Sequence, residues 1–181
     1  MALQSAIGSL PLPTTDGGTG QTVYGISTSS SGYVTMSSQP SFLAYLTANF
    51  TNATGNGGLF LFGNGTYSLA YNRASAMATI DGLFTAPVAG IYDLRACFYV
   101  SNTTIATTFT ITIFTTTRNY SATYTRAASN TDQSVALSVL ADMSALDLAQ
   151  AQLVVSGEAA NTVTISGGTT AVTYFCGTLV A

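Results

Sequence analysis

The chain has 181 residues, four Lys+Arg, seven Asp+Glu, no histidine, a net charge of −3 and only 6% charged residues. That length suits one domain plus an appendage; so few ionic groups, against about 25% in ordinary soluble domains, leave a surface of hydroxyls, amides and apolar atoms best covered by a second chain, so oligomerisation is expected. The four basic residues are the scattered Arg73, Arg95, Arg118 and Arg126, which excludes a phosphate-binding patch and nucleic acid as partner; the missing histidine removes the usual general base, metal ligand and pH switch, and no apolar run approaches the roughly 20 residues of a membrane span.

From the N-terminus, MALQSAIGSLPLP has neither a basic segment nor a long apolar one, so no secretory leader is expected and synthesis in a reducing cytosol is. Residues 15–26, TDGGTGQTVYGI, set Gly17, Gly18 and Gly20 between Asp16 and Gln21. A phosphate-cradling loop would need a lysine where Gln21 stands, because backbone N–H groups alone do not neutralise terminal phosphates, and the chain has no lysine. The Ser-, Thr- and Gly-rich stretch that follows favours turns and extended chain over the helix such a site requires. No apolar period is sustained before Pro40, so residues 1–40 read as an extended N-terminal arm that a contact surface must order.

Beyond Pro40 short alternating stretches recur. GIYDLRACFYV sets Tyr92, Leu94, Ala96 and Phe98 on one side against Ile91, Asp93, Arg95, Cys97 and Tyr99. FTITIF sets Phe109, Ile111 and Ile113 against Thr110 and Thr112; SVALSVL aligns Val135, Leu137 and Val139; TVTIS aligns Val163 and Ile165. GNGG, GNGT, SNTT and SGGTT mark turns between them, and MSALDLAQAQL reads as a loop leading into a strand. The pattern predicts an all-β sandwich over residues 41–181. Cys97 and Cys176 are too few for a disulfide framework and lack metal-site spacing, so both are expected as unbonded small hydrophobes. Hydrolysis by acidic residues would use a pair such as Asp142 and Asp147, but turn positions account for both; the expectation is no enzyme, no cofactor and no metal.

Residues 81–94, DGLFTAPVAGIYDL, resemble the signature of C1q-like domains, a Phe-x-x-Pro-x-x-Gly-x-Tyr run joining two core strands. SFLAYL around Phe42 resembles that family's first strand, SVALSVLADMSALDLAQAQLVV its leucine-rich strand, aspartate turn and following strand, and TYFCGTLVA its closing Phe-x-Gly-x-Leu. Two departures stand out: the usual Gly-Asp turn is replaced by Leu146-Asp147, and no collagen-like repeat precedes the domain. The resemblance implies a C1q/TNF-like jelly roll in which the sheet holding the first and last strands packs around a threefold axis. Cys97, Tyr99, Tyr174 and Cys176 would then line the seam of a homotrimer, where aromatic rings bury large areas at small entropic cost. Some relatives bind calcium, which would fall at Asp81 or Asp147, but no loop here carries a dense set of oxygen ligands.

LPLPTTDGGTGQTVYGI in turn resembles the GGTGQT segments of bacteriophage tail-fibre and other virion-attached proteins. Together the two resemblances imply a non-enzymatic trimeric spike on the virion surface, assembled in the host cytoplasm. Its arm, through Asp16, Gly17, Gly18, Gly20 and Gln21, would dock on the major capsid or tail protein, as capsid decoration, head fibre or short tail fibre. Loops 52–58 and 102–108, rich in Asn, Thr and Gly, would be the part offered to a host-surface glycan or protein. The alternative is a secreted C1q-like ligand or adhesion module, to which the triplets beginning at Asn49, Asn52, Asn64, Asn102 and Asn119 would lend glycosylation sites.

Overall fold

The structure, a computed structural model, describes residues 26–28, 34–36, 39–63, 67–78, 81–126 and 131–181. Within the predicted arm, β1 (Ile26–Thr28) and β2 (Val34–Met36) pair antiparallel. Asp16, Gly17, Gly18, Gly20 and Gln21 lie outside the described residues. Two sheets follow, with no helix among the described residues beyond one 3₁₀ turn at Leu61–Gly63. None of their helices is long and apolar enough to cross a membrane.

The larger sheet has seven strands: β4 (Phe50–Thr54), β13 (Val163–Ile165), β8 (Gly90–Ser101), β14 (Tyr174–Leu179), β3 (Ser41–Leu46) and β6 (Tyr67–Arg73) in that order, with β11 (Gln133–Met143) on the other side of β8. The smaller has five: β10 (Asn119–Thr125), β9 (Thr108–Thr115), β12 (Leu148–Ser156) and β5 (Gly57–Leu59), with β7 (Phe84–Thr85) also on β12. All pairings are antiparallel, and first and last strands of the domain lie side by side, as in a jelly roll.

Alternation explains which faces meet. Tyr92, Leu94, Ala96 and Phe98 on β8, and Phe109, Ile111 and Ile113 on β9, are all buried, as their parity requires. Thr112, expected on the outer side, is buried too, with its hydroxyl satisfied by that of Ser121 on β10 at 2.8 Å. The core is aromatic where the sheets touch: Phe42 stacks on Phe84 at 4.9 Å and meets Phe175 edge-on at 5.0 Å, while Phe84 meets Tyr92 at 5.2 Å. Gly177 is the position that lets this happen, since a Cβ there would lie 2.7 Å from both Leu94 Cδ2 and Phe42 Cε1. The Pro87–Gly90 reversal is closed by Tyr92, whose buried hydroxyl donates to the Val88 carbonyl at 2.8 Å. Gly90 cannot carry a Cβ either, because Ala181 O would be 2.3 Å away. MSALDLAQAQL is a turn over 144–147 leading into β12.

Candidate functional site

Residues opposite one another in an antiparallel pair project to the same side, so the outward face of the seven-stranded sheet can be read row by row. Tyr174 stands between Cys97 on β8 and Tyr45 on β3; Cys176 between Arg95 and Leu43; Thr178 between Asp93 and Ser41. On β6, Tyr71 continues the row through Leu43 and Arg73 the row through Ser41. On β11, Ala136, Ser138 and Leu140 stand opposite Cys97, Arg95 and Asp93. Cys97, Tyr174 and Cys176 are thus neighbours, and Tyr99 follows along β8, its N–H donating to Thr173 Oγ1 at 3.0 Å. The structure brings all four predicted seam residues onto one face. Neither thiol is in a disulfide, and Cys97 Sγ lies 3.4 Å from Ser134 Oγ.

The face holds one ion pair at its centre: Arg95 Nη2 meets Asp93 Oδ2 at 2.5 Å, with Ser138 Oγ donating to Asp93 Oδ1 at 3.4 Å. The Arg95 hydrogen bond holds the Asp93 carboxyl below the usual carboxylate range against the opposing effect of burial. Burial pushes the Cys176 thiol up, with Arg95 opposing, and burial likewise raises the Tyr174 hydroxyl, reinforced by Cys97 and Cys176. Besides this pair the face carries Leu43, Tyr45, Tyr71, Tyr174 and, at the far edge, Leu140, with Ser41, Ser138, Thr178 and Arg73 as its polar members. Tyr71 is 45% and Leu140 66% exposed.

The outward face of the five-stranded sheet contrasts sharply. There Thr110 pairs with Thr123 at 3.0 Å and Thr112 with Ser121 at 2.8 Å, and Gln152 continues the Thr112 row on β12. Val154 stands opposite Thr110, and Phe114, packed against Phe60 at 5.6 Å, stands opposite Gln150. Hydroxyls and amides thus interrupt the apolar side chains of this face, whereas the other carries three tyrosines and two leucines.

A second cluster lies where residues 52–58, which form the end of β4, a short turn and the start of β5 rather than the expected open loop, meet loop 102–108. Glu158, buried, accepts the backbone N–H of Ile105 at 2.6 Å and of Ala106 at 2.9 Å, while its own N–H donates to Gly55 O at 3.3 Å. Thr103 adds two bonds to the Thr131 carbonyl, at 3.0 and 2.7 Å. Glu158 therefore ties both predicted recognition segments to the β12–β13 connection, its carboxylate holding residues 105–106 and its backbone N–H holding Gly55, and Ile105 is left 63% exposed at the tip.

Asp142 and Asp147 do share an open cleft of about 300 Å³ with Arg118, Tyr120 and Ser144. Asp147 is engaged as a turn residue, accepting the Ser144 N–H at 2.8 Å, as its sequence position suggested. Among the described residues no group of three or more His, Cys, Asp or Glu side chains is placed to hold a metal ion.

Sequence reasoning missed Leu43, Tyr45, Tyr71, Arg73 and Leu140 on the outward face, and Glu158 in the loops. The alternation in SFLAYL contained the signal for Leu43 and Tyr45, which fall opposite Phe42 and Ala44 in parity. Tyr71 and Arg73 had none, because a register shift between Leu43 and Ala44 resets the parity of β6.

No family model matches the chain, and no curated protein does. Solved structures do. The PRD1 vertex protein P5 is 10% identical with a TM-score of 0.57, covering 87% of this chain and 82% of its own. Murine APRIL at pH 5.0 is 7% identical with a TM-score of 0.55, covering 78% and 99%. The globular domain of zebrafish complement 1qA protein is 13% identical with a TM-score of 0.54, covering 79% and 98%. At these identities the likeness is one of fold, and the fold is an all-β jelly roll of the C1q and TNF kind.

Proposed function

We propose that the chain is a non-enzymatic structural protein of a bacteriophage virion, a homotrimeric surface spike held to the particle by residues 1–40. The observation that carries this reading is the unequal pair of sheet faces. The five-stranded sheet presents paired hydroxyls and glutamines with Phe114 and Val154 among them, whereas the seven-stranded sheet presents Tyr45, Tyr71, Tyr174, Leu43 and Leu140 around an internally compensated ion pair. Completing the burial of these partly exposed side chains is worth at most roughly 1.5–3 kcal/mol each, and self-association is the economical way to do it. The C1q-like blocks in the sequence support three copies, with Cys97, Tyr99, Tyr174 and Cys176 at the seam. The fold likeness to a vertex protein supports a place on the particle surface.

The arm leaves the domain at a fixed point. Gln39 Nε2 donates to the Leu179 carbonyl, and the Leu179 N–H donates to Pro40 O at 3.0 Å, so the chain is fastened to the last strand before it departs. Ordering some forty residues costs on the order of 1–2 kcal/mol each, which an extensive docking surface on a capsid or tail protein offsets, with Asp16 to Gln21 at its centre. The loops fastened by Glu158 are then free to meet a host-surface glycan or protein. Deleting residues 1–40 tests the assignment: the remaining domain should keep its β-rich circular dichroism and trimeric mass but fail to join particles, and normal incorporation would contradict it.

A secreted C1q-like module is the second reading, favoured by the exposure of Asn49, Asn52, Asn102 and Asn119, four of the glycosylation triplets. Intact mass from the native source separates the two, since added glycan would fit only secretion.

A further inference from the structure

The outward face of the seven-stranded sheet has unlike edges. At the β6 edge Ser41, Tyr71, Arg73 and Thr178 line an open hollow of about 320 Å³. At the β11 edge Leu140 protrudes, followed two residues on by the exposed Asp142. The register sets the two edges level, because Leu140 pairs with Asp93, Asp93 with Thr178, Thr178 with Ser41 and Ser41 with Arg73. Three strands lie between β11 and β6, so at about 4.8 Å per strand the edges stand roughly 19 Å apart and Leu140 cannot reach the Tyr71–Arg73 wall of its own subunit.

We infer that adjacent copies join edge to face, Leu140 of one copy seating in the hollow beside Tyr71 of the next and Asp142 pairing with Arg73; this rests on the trimeric reading above. Size and charge both fit. The hollow has ample room for one leucine side chain, and its lining offers the Tyr71 ring and the stem of Arg73 as apolar walls. Arg73 has no counter-ion among the described residues of its own chain, and Asp142 makes no ion pair there either, although it shares a cleft with Arg118. Asp142 lies two residues beyond Leu140 on β11, about 7 Å at 3.4 Å per residue, so with Leu140 seated in the hollow it falls within the span of the extended arginine that lines it. Protrusion and hollow are separate patches, so each copy offers one to each of two neighbours. Contacts of that kind close into a ring when the rotation permits.

Sedimentation of the full-length chain and its variants, with circular dichroism to confirm folding, tests the contact. Leu140→Asp should abolish the trimer at micromolar concentration, and the milder Leu140→Ser should weaken it while leaving the fold intact. Arg73→Asp and Asp142→Arg should each raise the dissociation constant about tenfold or more, and the double reversal should return it to within about threefold of the parent. Ile105→Asp, at the remote loop tip, should change nothing. A parent trimer indifferent to Leu140→Asp, or a double reversal no better than either single one, overturns this contact while leaving the trimer standing. A parent chain that sediments as one copy or two overturns the trimeric reading itself.

Discussion

Leu146 occupies the place where the C1q-like pattern has glycine, and its backbone shows why glycine is usual there. Its φ is +72°, in the left-handed region, which costs an L-residue with a Cβ roughly 1–2 kcal/mol. The turn is nonetheless held by its neighbours: Leu146 N–H donates to Ala86 O at 2.8 Å, Asp147 N–H to Ser144 O at 3.1 Å and Ser144 N–H to the Asp147 carboxylate at 2.8 Å. The side chain itself is 76% exposed, so removing it forfeits little burial. Leu146→Gly should therefore relieve the strain and keep every bond of the turn. Against this stands the extra freedom of glycine in the unfolded chain, about 0.4–1 kcal/mol. The expected net gain is about 0.5–1 kcal/mol, or a rise in Tm of about 1–4 °C for a chain of this size. Leu146→Ala, which keeps the Cβ, should be neutral within about 0.5 kcal/mol. Parallel denaturant unfolding of the three proteins at one concentration decides the matter. A glycine variant no more stable than the alanine variant would refute the reasoning.

Glu158→Ala leaves the Ile105 and Ala106 N–H groups without their acceptor, at about 1–3 kcal/mol for each buried donor; a loss on the order of 2–4 kcal/mol is expected, with faster amide exchange at both residues, and unchanged exchange would show that the carboxylate is not the clamp. Asp93, whose carboxyl is held below its ordinary value of 3.8 by Arg95, binds its proton less readily folded than unfolded. Its contribution to stability is therefore present above that value and lost as pH falls through the lowered one. In Arg95→Met the Asp93 midpoint, followed by NMR, should rise to or above the ordinary value, and a midpoint that stays put would sink the assignment. Cys176, its thiol pushed up by burial, and Cys97, 9% exposed, should both alkylate slowly in the native protein at pH 7 and rapidly once denatured. Fast native labelling would mean that the sheet face is open.

How much of this the sequence disclosed depends on periodicity. Strands whose two sides differ in polarity were plain: on β8, β9 and β14 the inward residues such as Tyr92, Phe109 and Phe175 are buried as parity demands, and Cys97 and Thr112 are outward positions that are buried as well. The turn before β8 was legible because proline, glycine and tyrosine act together there, the tyrosine hydroxyl reaching back to the Val88 carbonyl. The edge strands were not. YSLAYNR on β6 carries a register shift, and NYSATYT on β10 mixes Tyr120 and Tyr124 with hydroxyls that bond to β9. The β1–β2 hairpin lies in a stretch too short and polar to show an apolar period. The outward row Cys97, Tyr99, Tyr174 and Cys176, the proposed seam, was readable from β8 and β14 alone. Its outer half was hidden, because adjacency to β3, β6 and β11 is a property of the sheet order rather than of any local window. Glu158 was invisible for a related reason: a lone glutamate in a loop has no pattern, and its role comes from donors some fifty residues away.

The central claim is that the aromatic sheet face is covered by two further copies of the chain. Native mass spectrometry or light scattering on the purified full-length protein at micromolar concentration measures this directly. The account predicts a particle of about 56 kDa, three times the 18.6 kDa subunit. A species of 18.6 kDa would contradict it.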